Sequence, residues 1–375
     1  MVAARRTHKR ATAYGPVTAI ALVLTPALTG ATITPMAADH DRLVVSGTRR
    51  YGRLSARPTV VDPLAEYRGL ARARRRLRLK EWVGFTLLHP EVYSSLILQD
   101  AHYLASSEIY VYDRTATVLH QHAATARGGS LNLPHNLMDN SCAIDRPGYS
   151  IAYDFSEHTG RHHITVDVAA SGEAPAITAD LTLDATAASA PLSVSSRLPG
   201  GQMYTHKVLY PVSGTLRFGD TSVTFSPERD LAVLDEHRSL LPYRTRWVWG
   251  TFATPTEDGL VGANFVKRPE EPGQPEESCL WMPGSPGSCE ALSDIRFTKQ
   301  AGDSTAPWRI ASADGRLDVV FTPEGRKSVK RQLGVVAIDY FQMFGRYAGT
   351  VRGEDGTVIV VKDVHGVCES MDARM

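Results

Sequence analysis

The chain lacks most of the patterns that assign a protein to a class at sight. It has no G-x-S-x-G elbow, G-x-G-x-x-G, Walker loop, H-E-x-x-H or calcium loop, which removes the enzyme classes those patterns announce. Its 4 cysteines, Cys142, Cys279, Cys289 and Cys368, form no C-x-x-C pair. A structural zinc site is therefore disfavoured, and no metal and no cofactor is expected. An excess of one charge is missing too. The 41 basic and 40 acidic residues leave a net charge of +1, so no global positive field exists to collect phosphates, and nucleic acid is not expected as a partner. No apolar run reaches the roughly 20 residues that a membrane span needs. No period of roughly 20–50 residues repeats, which disfavours propellers and solenoids.

What is present is a chain of 375 residues, 43% hydrophobic and 22% charged, the balance of a globular protein with one large or two ordinary domains. Arg5, Arg6, Lys9 and Arg10 precede an apolar run from Val17 to Leu28, which has the layout of a signal peptide. Pro26 interrupts that run, and Met36-Ala-Ala38 is a poor cleavage site. Residues 1–36 are therefore read as a leader or a mis-assigned start, with export as the alternative to a cytoplasmic protein beginning near Met36. In a reducing cytosol Cys279 and Cys289 stay thiols; after export they could close the loop between them.

A polar lead follows over 37–80. Asp62 to Arg76 is the best helix candidate, and Arg72-Ala-Arg-Arg-Arg-Leu-Arg-Leu-Lys80 is a solvated basic segment running into the first strand. From Glu81 onward short β-branched and aromatic alternations dominate: Ser107–Tyr112, His162–Val168, Arg246–Phe252, Leu260–Phe265, Leu317–Phe321 and Gly334–Phe344 among them. Thr215–Phe218 and Ser222–Phe225 read as a hairpin about Gly219-Asp-Thr221. Pro227 and Glu228 suggest a boundary near residue 230, giving domains over 81–230 and 231–375. The fold expected is all-β, with helix confined mainly to the region before Glu81.

Chemistry has to be sought in polar residues misplaced among these alternations. Asp235-Glu-His-Arg238 is the densest ionisable group next to apolar strands, and Asp235, Glu236 and His237 are the acid–base candidates. A charged loop with Asp235 paired to Arg238 is the competing view. Lys207 is an inward charge in a cleft or a surface lysine at a strand start. Tyr340, Gln342 and Phe344 share a face, and a buried glutamine must be hydrogen-bonded. Trp247 and Trp249 likewise share a face, as cavity wall or as core, and Asn264 is a further candidate for a cavity wall. The cluster His158, His162 and His163 puts its adjacent pair on opposite sides of a strand, so an edge role is favoured over a metal site.

Taken in order, Tyr204-Thr-His-Lys207, Leu234-Asp-Glu-His-Arg-Ser-Leu-Leu-Pro-Tyr243, Trp247-Val-Trp-Gly250 and Gly262-Ala-Asn264 form a series. It continues through Ala306-Pro-Trp308, Leu317-Asp-Val-Val-Phe-Thr-Pro323, Gln342-Met-Phe-Gly345 and a closing Gly366-Val-Cys-Glu369. In this series the chain resembles the family called domain of unknown function 2804, over roughly residues 50 to 375. The resemblance implies two tandem lipocalin-type (calycin) β-barrels. A looser kinship with hydroxyneurosporene synthase and double-lipocalin cyclases implies a long apolar ligand. The chain departs from the common family form after Asp235, where Glu236, His237 and Ser239 stand in place of an aromatic residue followed by Arg-Gly. The loop from Lys267 to Cys289 is also more elaborate than usual.

Three readings stay open. One is a carrier of a hydrophobic small molecule, gripped by Lys207, Asp235, His237, Arg238, Trp247, Trp249, Asn264, Tyr340, Gln342 and Phe344. The second is an enzyme that hydrates, isomerises or cyclises such a ligand. The third is a structural protein without a ligand. The expectation for the amino terminus is testable by mass spectrometry of native protein: peptides from residues 11 to 35 should be absent, and their detection would overturn a start near Met36.

Overall fold

Period-two burial runs through nearly every strand. In Arg161–Val168 it is strict, with His162, Ile164, Val166 and Val168 buried and the residues between them exposed. That is a strand with one face on a core and one in water. The computed structural model describes residues 41–284, 287–299 and 306–374; the expected leader over 1–36 lies outside them. The amino-terminal lead forms β1 (Val44–Val45), β2 (Thr48–Arg49), β3 (Gly52–Leu54), a 3-10 turn at Pro63–Glu66 and helix α1 (Gly69–Arg76). Asp62 starts the 3-10 turn, its carboxylate accepting the Leu64 N–H at 2.9 Å. Among the described residues helix is confined to this stretch.

The first large sheet holds 13 strands. They are β3, β4 (Leu79–Leu88), β5 (Val92–Asp100), β6 (Leu104–Asp113), β7 (Val118–Arg127), β8 (Ser141–Arg146), β9 (Tyr149–Asp154) and β10 (Arg161–Val168), with β11 (Ile177–Asp184), β12 (Leu192–Leu198), β13 (Gly201–Phe218), β14 (Thr221–Phe225) and β15 (Leu231–Leu240). The main order is β7-β6-β5-β4-β15-β13-β11-β10-β9-β8, with β12 and β14 also on β13. The second sheet holds 9 strands in the order β19-β18-β17-β16-β24-β23-β22-β21-β20. These are β16 (Arg244–Thr256), β17 (Gly259–Lys267), β18 (Cys279–Met282), β19 (Ser288–Ala291), β20 (Arg296–Lys299), β21 (Trp308–Ala311), β22 (Leu317–Leu333), β23 (Val336–Arg352) and β24 (Val358–Arg374). The boundary expected near 230 precedes a strand, β15, that still pairs with β4 and β13. The chain passes from the first sheet to the second at residues 241–243.

Both sheets curl, as two tandem barrels require. Phe85 on β4 and Tyr153 on β9 meet at 5.1 Å between ring centroids, although four strands separate them in the sheet. Phe265 on β17 and Phe297 on β20 meet at 5.9 Å from opposite parts of the second sheet. Each sheet thereby encloses a core, one around Phe85, Ile151 and Leu181 and the other around Phe252, Trp308 and Tyr347. A third apolar layer, with Tyr93, Tyr112, Val233, Trp249, Trp281 and Phe344, lies between the sheets and joins them.

Two local details differ from expectation. The 218–221 hairpin closes through two residues rather than three, because Phe218 pairs with Thr221 and Gly219 takes a φ of +56°. The alternations in Leu317–Phe321 and, from Val336 onward, in Gly334–Phe344 belong to strands 17 residues long, β22 and β23, whereas Arg246–Phe252 lies within the 13 residues of β16. Register shifts at Pro323/Gly325 and Tyr347/Gly349 carry the ladder past residues that would otherwise end it.

Inside the first barrel sits a buried ionic network. Arg238 Nε donates to Glu236 Oε1 at 2.7 Å and its Nη1 to Glu81 Oε1 at 2.8 Å, while Arg57 Nε donates to Glu236 Oε2 at 2.7 Å. Arg238 also donates to the carbonyls of Leu133 and Pro134, so four of its five N–H groups are engaged. Removing it would leave two carboxylates without their shared counterion in a low-dielectric interior. Arg238→Met should therefore lower unfolding free energy by about 3–5 kcal/mol in urea titrations; a loss under about 1 kcal/mol would contradict this account.

Candidate functional site

Alternation decides which groups share a surface. On β15, Ala232 and Leu234 point into the first barrel core while Leu231 and Val233 join the layer between the sheets. Carried onward, this parity sends Glu236 and Arg238 into the barrel and Asp235 and His237 towards the second sheet. The same rule on β23 and β24 aligns Tyr340, Gln342, Val367 and Glu369 with the inter-sheet layer. A cavity of 390 Å³ lies there, lined from the first sheet by Lys80, Trp82, Gly84, Ile97, Glu108, Tyr110 and Asp235 and from the second by Trp247, Lys327, Ile338, Tyr340, Gln342 and Glu369. A smaller space of 50 Å³ adjoins it around Lys207, His237, Arg268 and Glu277, with Trp82, Asp235, Trp247, Trp249 and Glu369 bordering both.

On the first sheet Asp235 is placed by its ladder neighbours, Lys207 on β13 and Gly84 on β4. It forms an ion pair with Lys207 and accepts the Trp82 indole N–H at 3.3 Å, and its side chain keeps 30% exposure, towards the cavity. His237, opposite Trp82 in the ladder, stacks on that indole with ring centroids 4.3 Å apart. Its Nε2 lies 3.3 Å from Glu277 and 3.7 Å from Asp235. Glu277 arrives on the loop after β17, where Arg268 clamps it and Lys207 lies 3.3 Å away. Burial alone would raise Glu277, but Lys207, His237 and Arg268 hold it well below the ordinary carboxylate range. Burial likewise opposes the Lys207 charge, and Asp235 and Glu277 override it, so its pKa is raised.

On the second sheet Glu369 stands between Trp249 and Gln342 in the ladder. Three donors converge on it: Trp247 Nε1 at 2.8 Å, Tyr340 Oη at 2.9 Å and Gln342 Nε2 at 2.8 Å. No ion pair reaches it among the described residues. Burial raises its pKa, the three donors only partly oppose this, and the charge of Asp235 adds to the rise. Behind these groups, Tyr93 Oη donates to Gln342 Oε1 at 3.1 Å, Trp249 Nε1 donates to Asn264 Oδ1 at 2.8 Å, and Asn264 Nδ2 donates to the Glu277 carbonyl at 2.6 Å.

Of the residues singled out from sequence, Asp235, Trp247, Trp249, Tyr340 and Gln342 border the main cavity, and Lys207 and His237 border the smaller space. Glu236 and Arg238 do not border the cleft: both face the first barrel, held by Arg57, Glu81 and each other. The competing pairing of Asp235 with Arg238 falls for the same reason, since Asp235 pairs with Lys207. Asn264 and Phe344 stand behind the walls, Asn264 on Trp249 and Phe344 stacked on Tyr93 at 5.1 Å. Sequence reasoning missed Trp82, Glu277 and Glu369. Glu369 closes the Gly366-Val-Cys-Glu369 series, and its parity with Val367 was the available signal.

The raised pKa of Glu369 sets the sign of a pH effect. Between the ordinary value of 4.5 and the raised folded value, the native state binds the proton more tightly than the unfolded chain, so this carboxyl destabilises the fold progressively as pH rises through that window. Thermal melting from about pH 4 to about pH 8 should show the Glu369→Gln variant lacking this falling component. The glutamine shifts the baseline, because its amide cannot accept from all three donors, so the slope is the readout. Identical slopes in both proteins would refute the assignment.

No curated protein sequence matches the chain. Among solved structures, kievitone hydratase from Nectria haematococca resembles it at 10% identity and a TM-score of 0.44, covering 79% of this chain and 88% of that one. CghA resembles it at 10% identity and a TM-score of 0.49, with the same coverage of 79% and 88%. Residues 46–375 match the sequence profile of the domain of unknown function 2804. The ladder of alternating strands and the polar residues it aligns thus belong to a chain that is a member of the domain of unknown function 2804 family.

Proposed function

We propose that the protein binds a largely apolar small molecule in the cleft between its sheets and moves a proton to and from it, with Glu369 as acid and Asp235 as base. The observation that carries this reading is the contrast between two carboxyl groups on one cavity. Asp235 is ion-paired with Lys207, whereas Glu369 meets only neutral donors and is pushed towards its protonated form. A carboxyl kept near its protonated form beside one held by a cation is the usual arrangement for a site that donates one proton and accepts another. The walls between them are apolar and aromatic, and 390 Å³ lies in the range of small-molecule pockets.

The chemistry this pair supports is addition of the Glu369 proton to one carbon of a double bond. The charge that develops on the neighbouring carbon is relieved in one of two ways. Asp235 removes a proton from the ligand, which isomerises or cyclises it, or Asp235 removes a proton from a water that adds, which hydrates it. Asp235 ends protonated and Glu369 ionised, and exchange with solvent resets both. His237, between Asp235 and Glu277, offers a route for that exchange through the smaller space. A carrier needs the cavity alone and leaves the pair without a task.

The test is incubation in deuterated water with a panel of polyenes, terpenoid alcohols and unsaturated fatty acids. Binding is followed by tryptophan quenching and products by mass. A ligand that binds saturably should gain deuterium or the mass of water. Asp235→Asn and Glu369→Gln should each slow that gain by about 100-fold or more, with binding kept. Saturable binding with no mass change in any panel member would leave a carrier and refute the catalytic reading.

A further inference from the structure

We infer that the ligand of this cleft carries an anionic group of the carboxylate class, and that Lys80 receives it. The inference deepens the reading above and rests on the cleft being the ligand site. Three lysines stand on the two joined spaces, and their charges are treated differently. Lys207 is paired with Asp235 and Glu277, and Lys327 is paired with Glu108 at 2.5 Å. Lys80 lines the main cavity, is 5% exposed, and has no carboxylate within ion-pair distance among the described residues. Its Nζ donates to the Leu77 carbonyl at 3.2 Å and sits 4.9 Å from the Tyr103 ring centroid.

An ammonium has three donors, and here one is used. The acidic side chains nearest along the wall are already committed. Glu81 is taken by Arg238 and by His102, and Asp100 by the backbone N–H groups of His102 and Gly129. A largely buried cation without a counterion is unfavourable, and burial, with the neighbouring charge of Arg78, lowers Lys80 to about 8. An incoming carboxylate would reverse both effects. The approach is also positive: α1 ends in Arg74, Arg75 and Arg76, none of them ion-paired among the described residues, with Arg76 Nε 3.4 Å from His102 Nδ1 beside the cavity residue Tyr103.

The ladder fixes where this cation stands relative to the acid pair. Asp235 lies opposite Gly84, His237 opposite Trp82 and Ser239 opposite Lys80. Lys80 is thus four residues along β4 from the level of Asp235, about 13 Å at strand rise. Trp82 supplies apolar wall between them, and Ile97 stands at the level of Asp235, opposite Gly84. The substrate class follows: an unsaturated, otherwise apolar acid whose reacting carbons lie about 13 Å from its carboxylate.

The experiment compares cis-parinaric acid with its methyl ester, by probe fluorescence, on wild-type protein and on Lys80→Met and Lys80→Arg. The acid should bind about tenfold or more tightly than the ester to wild type. Lys80→Met should remove that preference by weakening the acid and sparing the ester, and Lys80→Arg should retain it. Equal affinity of acid and ester for wild type overturns the inference while leaving the cleft standing, and this comparison needs no variant to fold. A preference that survives Lys80→Met overturns it as well. Saturable binding of neither compound overturns the inference together with the cleft reading.

Discussion

Buried charge on both faces of β15 is the constraint to which the rest of the molecule answers. Four consecutive ionisable residues, Asp235 to Arg238, are threaded between two apolar layers, and a strand must send them alternately to each. On the barrel side each charge is met by an opposite one, because burial removes the solvent that would otherwise share the cost. On the cleft side they are balanced only in part. Asp235 keeps an open approach, and Glu369 across the gap has hydrogen-bond donors but, among the described residues, no cation. One strand therefore separates a charge cluster locked inside the barrel from the one we propose to react.

The aromatic layer between the sheets serves both purposes. Trp82, Trp247 and Trp249 give the sheets a surface on which to meet, and each indole N–H is directed at a polar group: Asp235 and Glu369 on the cleft, and Asn264 behind its wall. A carboxylate held by an indole that is itself packed cannot change rotamer without disturbing the interface. The site is preorganised by the same contacts that join the two halves, which is how a reactive constellation keeps its geometry. The smaller space depends on the loop after β17, which brings Glu277 and Arg268 to Lys207 and His237.

The alternation in Arg246–Phe252, Gly334–Phe344 and His162–Val168 determined by itself that the chain is all-β, because period two has no other low-energy solution. It also determined that Trp247 pairs in orientation with Trp249, and Tyr340 with Gln342, since side chains two apart on a strand share a face. What parity could not determine is which of the two faces meets the other sheet. Glu236 and His237 are equally ionisable and adjacent in sequence, and only the closure of the first sheet around Phe85 and Tyr153 made one of them barrel and the other cleft. Glu369 and Lys80 were out of reach for a related reason. Their significance lies in the partners they lack, and the absence of a counterion is a property of three-dimensional surroundings, set by strands more than 200 residues apart in sequence that only the tertiary fold brings together.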